Sequence, residues 1–193
     1  EKIHLETSSV LIRQLSLRDV ISNAAFKPIP PNNSNIIQNS FVNVEGGAVS
    51  LGKEKDNYFG WDNEYGHKVH KVHKFKASKY LVSNHDYLQF LEQGGYNRDE
   101  FWSAEGRAWK DSLQVKLPEF WILRDGQYYL RQMVSEIRLP LNYPAEVCYH
   151  EASAYCNWLS QQYGQKIRLP DEFEYRRLLE VSGLDSQESL RSI

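Results

Sequence analysis

The chain has 193 residues, of which 23 are basic and 25 are acidic, and its formal net charge is -2 at pH 7. So small a charge argues against generic electrostatic binding to nucleic acid or to an anionic membrane, because both require a basic surface. Hydrophobic residues make up 41% of the sequence and aromatic residues 13%. The apolar runs are too short for a transmembrane helix, and the composition does not fit a disordered polymer. A chain of this length suits one sizeable domain or parts of two.

Methionine and cysteine usage bear on the origin of the chain. The first residue is Glu1 and the single methionine is Met133, so the sequence does not begin at a translation start. Since no signal peptide is visible, we expect a piece of a longer chain rather than a processed protein. Cys148 and Cys156 would lie about 12 Å apart along a helix, and a disulfide requires Cα atoms within about 7 Å. We therefore expect reduced cysteines and a cytoplasmic protein.

The chain opens with residues at helical spacing, followed by a break. A helix over 1–18 is predicted by the recurrence of His4, Ser8, Leu11 and Leu15. Three prolines and a cluster of Asn and Ser between residues 22 and 40 break any helix and predict a linker. The expected boundaries are 1–20 for the helical segment, 21–40 for the linker and 41–193 for a separate module.

The first half of this module contains short strands and one helix. Alternation predicts strands at 41–44, 48–52 and 68–75. Gly46-Gly47 supplies a turn between the first two strands. A helix is predicted to begin at Ser83, where Asp86 completes a capping box, and to end at Gly94-Gly95.

The second half of the module is rich in tryptophan and loops. Arg124-Asp125-Gly126 predicts a turn, and the clearest helix is predicted over 149–163, with Gly164 just beyond its end. Pro170, followed by acidic residues, predicts the start of a further helix. A loop-rich fold needs large side chains to bury area, so core positions are expected for Trp102, Trp109, Trp121 and Trp158. The fold class is therefore α+β.

Two groupings of titratable residues suggest a site but are better explained by structure. His67, His70 and His73 are spaced by three residues, and on a strand alternate side chains face opposite sides. The three cannot then converge on one ion, so a solvated strand is expected. Cys148 and His150 resemble a nucleophile and its base, but two residues on a helix diverge by about 200°. Core packing is the preferred interpretation for Cys148.

The motif at 62–64 has two alternative interpretations, and Arg168 has a structural one. Asp62-Asn63-Glu64 is either a network that stabilises a turn or the rim of an active-site cleft. Arg168 is expected to form a structural ion pair.

His4 and Glu6 form a third candidate, on the first helix. A lone histidine is more often structural than a ligand. A helix that binds a metal through two histidines needs them at positions i and i+4. The partner of His4 at that spacing would be the residue directly before Glu1.

An ordered series of motifs runs through the module. It consists of Val44-Glu45-Gly46-Gly47, Asp62-Asn63-Glu64, Val82-Ser83-Asn84, Ala152-x-Ala154-Tyr155-Cys156-x-Trp158-Leu159 and Arg168-Leu169-Pro170-Asp171-Glu172-Phe173-Glu174. On these motifs, residues 41–175 resemble the first half of a formylglycine-generating-enzyme-type domain, also called the sulfatase-modifying-factor fold. That fold is loop-rich, α+β and related to C-type lectins.

Further segments are similar to the sulfoxide synthases of this superfamily, which join cysteine to a histidine derivative. They are Gly95-Tyr96, Phe101-Trp102-Ser103-x-Glu105-Gly106-x-x-Trp109 and Pro118-x-Phe120-Trp121. In those synthases a DinB-like four-helix bundle precedes the domain and carries an iron-binding His-x-x-x-His-x-Glu motif. His4-Leu5-Glu6 matches the second histidine and the glutamate, so 1–20 would be the last helix of such a bundle.

Two branches of these synthases differ in substrate. Ergothioneine synthases act on trimethylated histidine (hercynine), and ovothiol synthases act on free histidine. Residues 1–15, 41–47 and 60–66 are similar to the ovothiol branch. In many ergothioneine synthases a glutamine near the substrate precedes the second histidine, and this chain has Ile3 there. The resemblance implies the ovothiol branch, with Ile3 near the substrate and hercynine as the alternative substrate.

The resemblance also implies a cofactor and its ligands. The cofactor would be a mononuclear iron(II), Fe(II), held by three neutral histidines, with open positions for cysteine, histidine and dioxygen. His4 would be a metal ligand, and Glu6 would orient a ligand or the helix. The proton-donating tyrosine and the residues that bind cysteine would lie in the second half of the domain. Catalytic residues in this chain are therefore unknown, and the piece alone is expected to be inactive.

Two other classes of function are compatible with the fold. A formylglycine-generating enzyme oxidises a protein cysteine with copper, and the helix at 1–18 counts against it. A non-catalytic, lectin-like binding module would lack a metal ligand at the position before Glu1.

Overall fold

The computed structural model describes residues 2–22, 36–55 and 59–183. The α-helices in these ranges are α1 Lys2–Gln14, α2 Asn84–Glu92, α3 Ala104–Ser112, α4 Tyr149–Tyr163 and α5 Glu172–Ser182. The strands are β1 Phe41–Val44, β2 Gly47–Leu51, β3 Lys68–Val72, β4 Phe75–Ser78, β5 Trp121–Arg124, β6 Gln127–Arg131 and β7 Glu136–Arg138. Most of the predicted linker lies outside the described residues.

The elements fall into two compact units. The larger unit is built from residues 1–38 and 81–168, and the smaller unit from residues 39–80 and 169–193. Helices α1 to α4 and strands β5 to β7 belong to the larger unit, whereas β1 to β4 and α5 belong to the smaller unit. This mixture of helices and small sheets confirms the predicted α+β class. No helix in the described ranges has the length and apolar character needed to cross a bilayer.

The core of the larger unit is a cluster of aromatic side chains. The buried rings are those of Tyr87, Phe90, Tyr96, Phe101, Trp102, Trp121, Tyr155 and Trp158. Three of the four tryptophans predicted to be core are each 4% exposed, and the fourth, Trp109, packs against the cluster. The rings of Tyr87 and Tyr155 stack with their centroids 5.5 Å apart. Such ring pairs add to the stabilisation that area burial alone provides.

Local signals in the sequence set the ends of several elements. The Ser83 hydroxyl accepts from the Asp86 amide at 3.2 Å, and the Asp86 carboxylate accepts from the Ser83 amide at 3.2 Å. This is the predicted capping box at the start of α2. Asp125 (φ 50°) and Gly126 (φ 71°) make the two-residue turn between β5 and β6. Gly164 (φ 63°) ends α4 in the left-handed region.

The strands of the smaller unit pair across long connections. β1 pairs antiparallel with β4, and β2 pairs antiparallel with β3. The strands on either side of Gly46-Gly47 therefore do not pair with each other. The single strand predicted over 68–75 is wrong, because it divides at His73-Lys74 into β3 and β4, which belong to different sheets. Buried apolar side chains in this unit include Val44, Val49 and Val72.

Two helix boundaries differ from the prediction. α1 ends at Gln14, earlier than residue 18, and a short 3-10 turn follows at Leu17–Asp19. Helix α5 begins after Pro170, because Asp171 is its N-cap and accepts from the amide of Glu174. The proline therefore precedes the cap and does not occupy the first turn.

Arg177 of α5 explains the Val44-Glu45-Gly46-Gly47 motif. Its guanidinium donates to the carbonyls of Glu45 at 2.9 Å and Gly46 at 3.2 Å. A Cβ atom on Gly47 would lie 2.8 Å from the Arg177 Cζ atom. Glycine at this position therefore makes room for the arginine that attaches α5 to the chain between β1 and β2.

Candidate functional site

Helix α1 carries the predicted site residues near its N-terminal end. The side chains of Ile3, His4 and Glu6 are all exposed, that of Ile3 to 68%. Among the described residues, no hydrogen bond or ion pair engages the side chain of His4 or Glu6. The imidazole of His4 is therefore available to bind a metal ion.

The geometry of α1 places His4 and Glu6 on different sides of the helix. Two residues correspond to about 200° of rotation, so these side chains diverge. Glu6 and Arg13 are seven residues apart and lie within about 20° of each other around the axis. His4 and Arg13 are nine residues apart, which is about 13.5 Å of rise and about 180° of rotation. Leu11, which is 58% exposed, lies on the side of His4.

On the opposite side of α1, the side chain of Arg13 contacts other parts of the larger unit. Its Nε donates to the carbonyl of Arg131 at 3.0 Å, and its Nη1 contacts both carboxylate oxygens of Glu146 at 2.7 and 2.9 Å. The guanidinium lies 3.6 Å from the centroid of the Phe120 ring. In return, the Nη2 of Arg131 donates to the carbonyl of Leu15 at 3.2 Å. We call this reciprocal pair, Arg13 and Arg131 with their partners, the arginine clasp.

A buried polar network lies at the start of α4. The Tyr96 hydroxyl donates to Glu151 Oε1 at 2.5 Å and lies 3.2 Å from the Tyr87 hydroxyl. Glu151 Oε2 accepts from the Cys148 amide at 2.8 Å, and Glu151 is 3% exposed. Burial, followed by the proximity of Tyr87 and Glu151, raises the pKa of Tyr96 far above its usual range. The phenol therefore stays protonated at neutral pH and acts as a structural donor.

Lys110 is a second buried charge beside this network. Its Nζ donates to the Tyr96 carbonyl and to Asp99 Oδ1, both at 2.9 Å, and lies 5.5 Å from the Trp102 ring centroid. The hydrogen bond from Lys110 lowers the pKa of Asp99. Lys110 also lies 3.9 Å from Asp111 Oδ1. These contacts explain its burial as packing around α3.

The three histidines near β3 form an exposed edge. The His67 Nδ1 lies 3.2 Å from the Ser50 hydroxyl, and the His70 ring lies 4.8 Å from the ring centroid of Phe173. His67, His70 and His73 are all exposed. The expected exposure of these histidines is confirmed, whereas the absence of a metal site here stays a prediction.

Cys148 and His150 do not form a nucleophile and base. Cys148 is the half-buried N-cap of α4, and the His150 ring packs 5.5 Å from the centroid of Trp109. Both Cys148 and Cys156 are free thiols, as predicted. Burial raises the pKa of each thiol above its usual value, which disfavours the reactive thiolate.

The loop at Asp62–Glu64 forms the predicted turn-stabilising network. It is a short 3-10 helix in which a Glu64 carboxylate oxygen accepts from the Trp61 amide at 2.8 Å. The Lys53 amide donates to the carbonyl of Glu64, also at 2.8 Å. These contacts support the interpretation of this motif as a network that stabilises a turn.

His4 fits an iron ligand by its chemistry, but it supplies one ligand only. A neutral imidazole suits iron(II), and this one is exposed and unpaired among the described residues. In the described ranges, no group of three His, Cys, Asp or Glu side chains could hold a metal ion. The other ligands of an iron site would therefore come from outside these ranges. The roles predicted for Ile3, His4 and Glu6 stay predictions.

The network around Glu151 and the arginine clasp were not predicted from sequence. Glu151 follows Cys148 at the spacing of a capping box, which is a local signal that could have identified one of its two contacts. Arg13 and Arg131 are 118 residues apart, and no local pattern connects them.

Comparison with known proteins identifies relatives of the chain. Residues 26–186 match the family of sulfatase-modifying factor enzyme 1-like domains. A hercynine oxygenase of Mycolicibacterium smegmatis is 29% identical over 152 residues, covering 78% of this chain and 33% of that protein. A hercynine oxygenase of Mycolicibacterium thermoresistibile is 31% identical over 123 residues, covering 63% of this chain and 26% of that protein.

A formylglycine-generating enzyme of Thermomonospora curvata is also similar. It is 27% identical over 170 residues, covering 81% of this chain and 54% of that enzyme. The chain thus spans a third or less of the two hercynine oxygenases and about half of the formylglycine-generating enzyme.

Proposed function

Because the chain belongs to the family of sulfatase-modifying factor enzyme 1-like domains, we propose that the protein is an iron(II)- and dioxygen-dependent sulfoxide synthase. It joins cysteine to free histidine, which is the first step of ovothiol biosynthesis, catalysed by a 5-histidylcysteine sulfoxide synthase. Its partners are these small molecules, and neither nucleic acid nor a membrane is among them. Two free cysteines support a cytoplasmic location.

The placement of His4 is the observation that supports this proposal most. Its exposed imidazole lies on a helix whose opposite side is fixed by the arginine clasp. Leu11 lies on the same open side and is also exposed. Unpaired apolar surface next to a potential ligand is typical of a face that contacts another element. The names of the hercynine oxygenases add support, because they describe oxygenases of a histidine derivative.

The described residues have limited roles in this mechanism. When bound, iron(II) supplies the redox chemistry that couples dioxygen to the formation of a carbon–sulfur bond and a sulfoxide. His4 would bind the metal, and Glu6 would orient a ligand or the helix. Ile3 borders the substrate with an apolar side chain. Among the described residues we assign no catalytic acid or base, because the buried groups have structural partners: Tyr87 and Glu151 bond to Tyr96, and Lys110 bonds to Asp99.

The choice of free histidine over hercynine rests on sequence. The position before His4 is Ile3, where many ergothioneine synthases have a glutamine, and three segments are similar to the ovothiol branch. Hercynine is the alternative substrate, favoured by the names of the relatives. The two possibilities share the metal site and the reaction type, and they differ in the substrate pocket.

The proposal is tested with the full-length protein loaded anaerobically with iron(II). Cysteine is supplied with either histidine or hercynine, and oxygen consumption and product mass are followed. We expect oxygen uptake with cysteine plus histidine, and a product whose mass is the sum of both substrates plus one oxygen atom minus two hydrogen atoms. Water takes up the second oxygen atom and the two hydrogens, so the reaction balances. Turnover of cysteine with hercynine but not with histidine would assign the ergothioneine branch. If the protein consumes oxygen with neither pair of substrates, the proposal is refuted.

A formylglycine-generating enzyme is the second candidate. The relative from Thermomonospora curvata favours it, because this chain covers 54% of its length. Such an enzyme would convert the cysteine of a peptide substrate to formylglycine, which mass spectrometry detects directly. A protein that neither oxidises such a peptide nor consumes oxygen with free cysteine would instead be a binding module.

A further inference from the structure

The side-chain hydrogen bonds from α1 to other parts of the larger unit come from its last residues. Arg13 and Gln14 make the hydrogen bonds between α1 side chains and other elements in the described ranges; Gln14 donates to Glu119 at 2.8 Å. The side-chain hydrogen bonds nearer the N-terminus, from Thr7 and Ser9, go to carbonyls of α1 itself. Within the described residues, these contacts therefore hold α1 near its C-terminal end, and His4 lies about 13.5 Å from Arg13 along the axis.

The contacts of Arg13 are stronger than those of an ordinary surface ion pair. Its side chain is 15% exposed, and its guanidinium covers the ring of Phe120, which is 5% exposed. Charged donors at sites from which water is partly excluded make shorter and stronger hydrogen bonds than neutral donors. An exposed ion pair alone would contribute little. Here the bond to the Arg131 carbonyl and the ring contact add to the bond with Glu146.

The reciprocal bond from Arg131 fixes the direction of the helix. Arg131 is 6% exposed and also donates to the carbonyls of Gln132 and Met133, so its guanidinium is held in place. From that fixed position it binds the carbonyl of Leu15, just beyond the end of α1. Arg13 thus binds the carbonyl of Arg131, and Arg131 binds the carbonyl of Leu15. Such an arrangement restricts both the position and the tilt of α1.

The tilt of α1 determines where His4 lies. His4 is about 13.5 Å along the axis from Arg13, so a tilt of about 5° at the anchor would move it by about 1.2 Å. Displacements of about 1 Å in an active site reduce rates by about a hundredfold. The position of His4 is therefore sensitive to the angle that the contacts of Arg13 set for α1.

We propose that Arg13 is a positioning residue for the metal site, acting with Arg131 to fix the angle at which α1 presents His4. This inference rests on the metal role proposed for His4. It assigns Arg13 no contact with the metal or the substrates.

The experiment compares Arg13→Gln and Arg13→Lys with the wild type in the full-length protein. Arg18→Gln is the matched control, because Arg18 follows the same helix but is 86% exposed and lies 3.8 Å from its one ion-pair partner in the described ranges, Asp19. Hydrogen exchange of the α1 amides, the affinity for iron(II) and the visible spectrum of the cobalt(II)-substituted protein are measured. For Arg13→Gln we expect at least tenfold faster exchange, at least tenfold weaker iron binding and a changed cobalt spectrum.

The other variants give graded expectations. Arg13→Lys keeps the charge but loses the planar fork, so its effects should lie between those of Arg13→Gln and the wild type. Arg18→Gln should match the wild type in all three measurements. If Arg13→Gln does not fold, Glu146→Gln carries the test, and its exchange and affinity should change in the same direction by a smaller factor.

Two negative results are distinguishable. If the wild type binds iron(II) and Arg13→Gln binds it with the same affinity and spectrum, the positioning role of Arg13 is refuted and the proposed function is untouched. If the wild type binds no iron(II), the proposed function fails, and the positioning role fails with it. The α1 amides of Arg13→Gln, or of Glu146→Gln where that variant carries the test, should exchange faster than those of the wild type. Unchanged exchange would refute the claim that Arg13 anchors α1.

Discussion

Removal of the Tyr96 hydroxyl tests the buried network at the start of α4. Tyr96→Phe deletes the donor to Glu151 Oε1 and the neighbour of the Tyr87 hydroxyl, while it keeps the aromatic ring in the core. A hydrogen bond to a charged group contributes about 1.5–3 kcal/mol, and a buried group left without its partner costs more. We therefore expect the free energy of unfolding to fall by about 3 kcal/mol. For a chain of this size that is a decrease in Tm of about 6–12 °C.

The assay is chemical unfolding followed by tryptophan fluorescence, since three tryptophans lie in the same core. Tyr129→Phe is the matched control. The Tyr129 hydroxyl makes a long, exposed contact of 3.4 Å with Gln127, so its removal should change stability by less than about 0.5 kcal/mol. If Tyr96→Phe is as stable as Tyr129→Phe, Tyr96 does not stabilise a buried carboxylate and the account of this network is wrong.

Three further predictions concern stability and reactivity. Burial raises the pKa of the three core tyrosines, so the folded state keeps its phenols protonated while the unfolded chain loses those protons above pH about 10. Stability should therefore be lost as the pH rises above 10, with a limiting slope of about 1.4 kcal/mol per pH unit for each tyrosine; a flat alkaline stability profile would contradict this. Gly47→Ala should destabilise the smaller unit by about 1–2 kcal/mol through lost Arg177 hydrogen bonds, and a full effect in an Arg177→Ala background would rule out that cause. Cys156 should react with iodoacetamide more slowly in the folded than in the unfolded protein at pH 8; equal rates would show that it is not buried.

Local sequence signals were sufficient for α2, α4 and the turn between β5 and β6 in the larger unit, whereas α3 and strands β5 to β7 were not predicted. Ser83 and Asp86, spaced as a capping box, and the Asp125-Gly126 turn each depend on neighbouring residues, and their positions were correct. The tryptophans were correctly expected in the core, because few other residues could bury enough area in a loop-rich fold. The exposure of His67, His70 and His73 was expected from strand alternation, although only His70 lies within β3.

Contacts between distant parts of the chain could not be predicted in this way. Tyr96 and Glu151 are 55 residues apart, and Arg13 and Arg131 are 118 residues apart. The division of residues 68–75 into two strands also depends on pairing partners rather than on local pattern. For the candidate site, spacing and resemblance identified His4, whereas the anchor that holds its helix became visible only with the folded chain.

The central claim is that α1 presents His4 as an iron ligand. Anaerobic titration of the full-length protein with iron(II), compared with His4→Ala, tests it most directly. We predict one iron per wild-type chain and an affinity at least a hundredfold weaker for His4→Ala, with α1 still protected from hydrogen exchange by the intact arginine clasp. Equal affinity and stoichiometry in the two proteins would contradict the claim.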